Sequence, residues 1–188
     1  MSDIQHLKAA ARKAAFARRK QARSAVADAQ AAAHLIEALL PHKGKPLAGY
    51  MPIRTEVSPL PAMAALQAFG PVGVPVIQGE GQPLNFQEWS PEAEMVEGPF
   101  GAKVPAKGNW ITPEILIVPL VAFTPQAMRL GYGGGFYDRT LEGLRARRQV
   151  KAIGFAYSAQ QAEHLPLEPT DQPLDMIVTE AGVLTPPA

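Results

Sequence analysis

Short, unbroken apolar runs alternate along this chain with longer stretches in which apolar positions recur at helical spacing. Ile115-Leu116-Ile117-Val118 has no polar interruption, the pattern of a strand buried on both faces. Val72 to Ile77, Ala152 to Tyr157 and Met176 to Thr179 read the same way, and Leu47-Ala-Gly-Tyr50-Met51 reads as a first strand closed by Pro52. Residues 24–40 predict a helix with Val26, Ala29, Ala33, Ile36, Leu39 and Leu40 on its core face, stopped by Pro41 and Gly44. Further helices are expected over 58–69 and after residue 135, the latter with Phe136, Leu141 and Leu144 near one face. Residues 78–114 are dense in proline and glycine and hold both tryptophans, which predicts irregular strands and a long functional loop rather than a separate domain. The alternation predicts one α/β domain over residues 1–188, an open, mostly parallel sheet with helices on both faces.

Between the run ending at Val118 and the helix expected after residue 135 lies Arg129-Leu130-Gly131-Tyr132-Gly133-Gly134-Gly135-Phe136-Tyr137-Asp138-Arg139, the stretch where function is to be sought first. Without Cβ atoms its glycines reach positive φ, and their N–H groups approach a ligand closely. A strand that feeds a helix N-terminus through such a turn favours anions, and Arg129 adds a full charge. Asp138, in the first helical turn, is placed to cap the helix or to reach a cation. The loop has neither the Gly-Lys-Ser/Thr of a P-loop nor, with Phe136 at that place, the last glycine of the dinucleotide fingerprint. A tight turn and a phosphate cradle both remain open on spacing alone.

Charge sharpens the picture. Of 18 basic and 17 acidic side chains, residues 1–25 carry seven basic ones against Asp3 alone, so a cationic first helix joins an acidic body. At helical spacing Lys8, Arg12, Arg19 and Arg23 share one stripe, which either meets a polyphosphate or faces water. A nucleic-acid partner is disfavoured because everything outside that helix is net acidic. The chain has no cysteine, which excludes disulfides and thiolate chemistry, and its four histidines show no metal-ligand spacing, so any metal is a hard cation on oxygen ligands. No apolar run has the length of a membrane span and the charged start is unlike a signal peptide, so a cytoplasmic protein is expected.

Two further carboxylates stand out. Glu56 follows the first strand in the loop Ile53-Arg54-Thr55-Glu56-Val57, where α/β proteins bind ligands beyond strand ends, although pairing with Arg54 at the surface serves equally well. Asp171 sits in Pro169-Thr170-Asp171-Gln172-Pro173, where turn chemistry is the alternative to cation binding.

Pro119-Leu120-Val121-Ala122-Phe123 followed by Arg129-Leu-Gly-Tyr-Gly-Gly-Gly-Phe-Tyr-Asp138 resembles the signature of the 5-formyltetrahydrofolate cyclo-ligase family. Lys8-Ala-Ala-Ala-Arg12 resembles that family's N-terminal Lys-x-x-x-Arg, and Phe100-Gly-Ala-Lys-Val104-Pro105 its Phe-Gly-Ile-x-Glu-Pro segment, with Val104 in place of the acid. The stretch ending Thr170-Asp171, Asp175 and Val178-Thr179-Glu180 resembles the family's C-terminal motif, with Thr170 where histidine is usual. The resemblance implies a three-layer, Rossmann-like fold and ATP-dependent cyclisation of 5-formyltetrahydrofolate to 5,10-methenyltetrahydrofolate, with release of ADP and phosphate. It implies that Lys8, Arg12 and residues Arg129, Leu130, Gly131, Tyr132, Gly133, Gly134, Gly135, Phe136 and Tyr137 bind ATP, with Arg129 and Lys8 stabilising the transferring phosphate. Met51, Glu56, Phe100, Tyr132, Gly133, Gly134, Gly135 and Phe136 are implied to bind the folate, and Asp138 and Asp171 to hold Mg²⁺. Neither nucleic acid, membrane nor obligate protein partner is implied. Two rivals stand beside this reading: a sugar-phosphate isomerase using the glycine loop without ATP, and a nucleic-acid-binding module built on the basic helix.

Overall fold

The computed structural model describes residues 3–187, apart from the side chain of Phe100. The chain opens with two helices, α1 (Asp3–Ala22) and α2 (Ala25–Leu39), before the first strand, β1 (Leu47–Ala48). Helix α3 (Leu60–Gln67) leads into β2 (Val72–Ile77), followed by β3 (Leu84–Glu88), β4 (Met95–Glu97), β5 (Lys103–Pro105) and β6 (Trp110–Ile111). Then come β7 (Ile115–Pro119), the short strands β8 (Ala122–Phe123) and β9 (Arg129–Leu130), and helix α4 (Phe136–Arg145). The last strands are β10 (Lys151–Phe155), β11 (Met176–Thr179) and β12 (Gly182–Leu184).

The main sheet runs β12-β11-β10-β7-β1-β2-β3-β6. Its five central strands, β11, β10, β7, β1 and β2, are mutually parallel, while β12, β3 and β6 pair antiparallel at the two edges. This is the open, mostly parallel α/β sheet that the alternation predicts. The chain steps from β1 to β2 on one side and returns to β7 on the other, so the order reverses between β1 and β7. Such a switch point leaves a crevice beyond the carboxyl ends of the strands.

Strand β7 shows why the apolar run is continuous: Ile115 and Ile117 pack with α2 and α3 on one face, Leu116 and Val118 with α4 on the other. Helix α4 buries Leu141 and Leu144 as expected, with Phe136 packed against the same core. The region 78–114 supplies β3 and β6 to the sheet edge and a separate β4–β5 ribbon, so part of the expected loop extends the core. Several strands are shorter than the apolar runs suggest: β1 stops at Ala48, freeing Tyr50 and Met51 to turn toward the crevice.

Helix α2 is rotated from the predicted face. Ala27, Ala31, Leu35 and Leu39 are buried, whereas Val26 and Leu40 are 67% and 46% exposed. In so alanine-rich a helix apolar character does not select one stripe, and polar anchors decide instead. Asp28 accepts a hydrogen bond from the Tyr157 hydroxyl, and His34 Nδ1 lies 2.9 Å from the Thr179 carbonyl oxygen. Ser24 caps the helix through Oγ, which accepts from Ala27 N at 3.1 Å.

Helix α1 reverses the usual polarity of a surface helix. Lys8, Ala15 and Arg19 are its buried residues, while Leu7 is 60% exposed. Ala15 packs on Val121, Ala122 and Leu130, which seats the helix across the antiparallel hairpin of β8 and β9. Lys8, Arg12 and Arg19 of the cationic stripe therefore face inward, whereas Arg23 lies beyond the end of the helix and is exposed. Among the described residues no helix is long and apolar enough to cross a membrane.

Candidate functional site

The glycine stretch does not follow β7 directly, because the β8–β9 hairpin intervenes and places Arg129 and Leu130 on β9. Residues 131–135 then cross the switch point and enter α4. Gly135 is the residue before the helix, at φ 66°, and no side chain caps α4. Gly133 has φ 105°, and a Cβ there would lie 3.2 Å from Arg12 Nη2. Only glycine combines that backbone with so close an approach of an arginine.

This loop is the wall between two chambers. On one side lies an open cavity of about 750 Å³ lined by Lys8, Arg12, Arg129, Gly133, Asp138 and Asp171, among others. On the other lies a smaller, mostly apolar one of about 200 Å³, whose lining includes Tyr50, Met51, Glu56, Ile77, Phe136 and Tyr137. Arg129, Gly131, Tyr132, Gly133 and Gly135 border both. Gly134, Phe136 and Tyr137 border only the apolar chamber. Leu130 packs on Ala15 and is buried, so toward the polar chamber it offers backbone rather than side chain. Ala102 reaches the apolar chamber from the 100–105 segment, while the side chain of Phe100 lies outside the described residues.

The polar chamber is set with charges held in pairs. Arg129, 5% exposed, donates from Nη2 to Asp138 Oδ1 at 2.7 Å, and its Nε is buried without a partner. The same Asp138 oxygen accepts from Gln172 N at 2.9 Å. Asp138 is therefore an ion-pair partner at the third position of α4 and not its N-cap. Lys8 Nζ donates to Asp171 Oδ2 at 2.8 Å and to Glu168 Oε2 at 2.7 Å. Burial pulls the Lys8 ammonium down, but bonds to Asp171 and Glu168 outweigh it and leave the group raised above its ordinary value. Asp171 also serves its turn, accepting from Glu168 N at 2.8 Å. Arg12 Nε donates to Gly131 O at 2.7 Å and so buttresses the loop from above.

In the apolar chamber Glu56 is buried and does not pair with Arg54. Its Oε2 accepts from Ile53 N at 2.9 Å, closing a tight turn in which Arg54 takes φ 53°. Burial raises the Glu56 carboxyl above the ordinary range, opposed by the Ile53 N–H, the Tyr132 hydroxyl and the charges of Arg19 and Arg54. The Tyr50 hydroxyl donates to Val57 O at 2.7 Å, whereas the Tyr137 hydroxyl is buried without a partner, a donor held ready beside an apolar surface.

The structure thus gathers Lys8, Arg12, Arg129, Asp138 and Asp171 at one chamber, Met51 and Glu56 at the other, and the glycine loop between them. Two participants escape the sequence reading. Glu168, 160 residues from Lys8, carries no local signal of that contact. Arg19 does lie in the cationic stripe, but nothing in the stripe tells that it turns away from the polar chamber into the protein.

The result is a switch-point crevice split by a glycine loop, with paired charges on one side and a mostly apolar lining on the other, the place where open α/β sheets bind ligands. The comparisons with known proteins place the chain more closely. Residues 5–180 match the 5-formyltetrahydrofolate cyclo-ligase family, and the chain belongs to it. It is 46% identical over 70 residues to the 5-formyltetrahydrofolate cyclo-ligase of Escherichia coli (strain K12), covering 37% of this chain and 38% of that one. With the Haemophilus influenzae enzyme of the same name it shares 41% identity over 101 residues, 50% of this chain and 54% of the relative. The matched stretches thus span about a third to a half of these relatives' length. The fold agrees throughout: the Aquifex aeolicus 5,10-methenyltetrahydrofolate synthetase structure superposes with a TM-score of 0.77 at 30% identity, over 95% of this chain and 92% of that one.

Proposed function

We propose that this protein cyclises 5-formyltetrahydrofolate to 5,10-methenyltetrahydrofolate at the expense of ATP, binding the nucleotide phosphates in the charged chamber and the pterin in the apolar one. The observation that carries the reading is the shared wall: Arg129 and the glycine loop border both chambers, so a γ-phosphate in one meets a formyl oxygen in the other.

The chemistry accounts for the side chains present. A formamide oxygen leaves poorly, so the formyl oxygen first attacks the γ-phosphorus, forming an O–P bond and breaking the bond to ADP. The lone pair of N10 then attacks the formyl carbon, the N10 proton is lost, and inorganic phosphate departs with the former formyl oxygen. No protein nucleophile is required. Catalysis of this kind rests on positioning and on neutralising a moving phosphoryl group. Arg129 is held for that task by Asp138, and its unpartnered Nε is a further donor at the wall. Lys8 and Arg12 reach the same chamber from α1 and meet the remaining phosphate oxygens. A carboxylate such as Glu56 suits the paired N–H donors of the pterin's amidine edge.

Magnesium fits the donors available. Both hydrogen bonds to Asp138 fall on Oδ1, which leaves Oδ2 of this chamber-lining residue as a hard oxygen donor. Among the described residues no three acidic or histidine side chains converge, so the site suits an ion that keeps waters and phosphate oxygens as ligands. Asp138 would hold it, with Asp171 alongside once Lys8 turns to phosphate. When bound, the ion neutralises charge on the β- and γ-phosphates.

The test is one assay. Purified protein with Mg-ATP and 5-formyltetrahydrofolate is expected to develop the methenyl-folate absorbance with one phosphate released per product. Turnover that proceeds without ATP, or binding of a sugar phosphate with no effect of folate, would refute the assignment.

A further inference from the structure

Arg19 is buried further than its partners warrant. Its side chain is 1% exposed, and no ion pair among the described residues includes it. Nη1 is buried with no hydrogen-bond partner. A desolvated guanidinium without a carboxylate in contact is costly and calls for a compensating interaction. Its other donors point to the loops of the apolar chamber: Nε donates to Thr55 Oγ1 at 3.0 Å, and Nη2 to the Tyr132 hydroxyl at 2.9 Å. The guanidinium also lies 5.1 Å from the Phe16 ring centroid and 5.7 Å from that of Tyr132.

Thr55 precedes Glu56, and Tyr132, whose hydroxyl accepts from Arg19, lines the apolar chamber together with Glu56 and favours its charged form. We infer that Arg19 is a positioning residue: bonding Thr55 and the Tyr132 hydroxyl at once, it ties the loop that carries Glu56 to the glycine loop and holds the Glu56 carboxylate in place against the folate. The inference rests on the function proposed above. Helix α1 thus carries Lys8 and Arg12 on the polar chamber and Arg19 behind the loops of Thr55 and Tyr132.

The groups that face Glu56 are the phenols Tyr50, Tyr132 and Tyr137 and the guanidinium groups Arg19 and Arg54, with Arg129 next to Tyr137. Glu56 is the one carboxyl among these groups, and burial raises it, so it brings pH dependence to folate binding on the acid side of neutrality. Removing the Arg19 charge moves Glu56 toward its neutral form at a given pH. Raising the pH restores the carboxylate.

The test compares wild type, Arg19→Met, Arg19→Lys, Tyr132→Phe and Glu56→Gln, measuring affinity for 5-formyltetrahydrofolate and for Mg-ATP separately from about pH 5 to 9. Arg19→Met is expected to weaken folate binding by up to about tenfold at the acid end of that range, equivalent to one unit of displacement, and to recover as pH rises. Arg19→Lys recovers most of the loss there. Tyr132→Phe, which leaves Arg19 in place and so guards against a folding defect, shows the same displacement more weakly. Nucleotide affinity stays within about twofold, since Arg19 does not border the polar chamber. A pH-independent loss of both ligands, or folate binding in Arg19→Met and Tyr132→Phe that matches wild type, would overturn the inference while Glu56→Gln still reports on the folate site. Absence of folate binding in wild type would instead overturn the functional proposal, and this inference with it.

Discussion

Replacing Glu56 by Gln keeps shape and removes one negative charge from the apolar chamber, so affinity and stability should move in opposite directions. Gln retains an amide oxygen for Ile53 N, the bond now made at 2.9 Å, so the turn at 53–56 survives. The amide NH₂ takes the place of a carboxylate oxygen and meets N–H donors of the pterin. A charge-assisted pair contributes about 1.5–3 kcal/mol, so folate affinity is expected to fall about 10- to 150-fold, with nucleotide affinity unchanged. Stability follows from the raised carboxyl. Burial lifts the Glu56 pKa above its ordinary value, so between that value and the folded one the native state binds more protons than the unfolded state. Wild type therefore loses stability as pH rises through this window, whereas Glu56→Gln does not. Calorimetric titration of each ligand, with thermal melts at several pH values, reads both effects. Unchanged folate affinity would remove Glu56 from the ligand site, and a variant less stable than wild type above the window would refute the desolvation argument.

Arg129→Ala is expected to lower turnover about 100-fold or more and to lower the melting temperature, because Asp138 loses its cation; adding Asp138→Asn should recover stability and not activity. Steady-state kinetics with melts of the single and double variants separate the two effects. Gly133→Ala forces a side chain onto φ 105° with its Cβ 3.2 Å from Arg12 Nη2, so the KM for ATP should rise several-fold, while Gly143→Ala, in open helix surface, serves as the control. Asp138→Asn alone is expected to shift the magnesium dependence of turnover to higher concentration; an unchanged dependence at full activity would leave Asp138 only its pairing role with Arg129.

Much of the fold is legible in local pattern, because burial on both faces requires an unbroken apolar run and Ile115–Val118 supplies one for the sheet centre. The glycine loop is legible for a similar reason: four glycines and an arginine between a strand and a helix restrict what the backbone there can be for. Helix α2 marks where pattern fails. Its alanines offer several equivalent stripes, and contacts of Asp28 and His34 with residues more than a hundred positions away select one. Helix α1 fails more instructively, since a lysine and arginine stripe normally faces water and here covers a crevice. The inward turn depends on Glu168 and Asp171 arriving beneath Lys8, and on Thr55 and Tyr132 arriving beneath Arg19. Periodicity is a property of neighbours in sequence, so the chain alone determined its central strands, its helices and the glycine loop before α4, while the β8–β9 hairpin that carries Arg129 left no such signal. Which charges pair, and which of the two chambers each residue borders, is set by the strand order that brings β1, β7 and the β8–β9 hairpin together, and only the tertiary structure decided that.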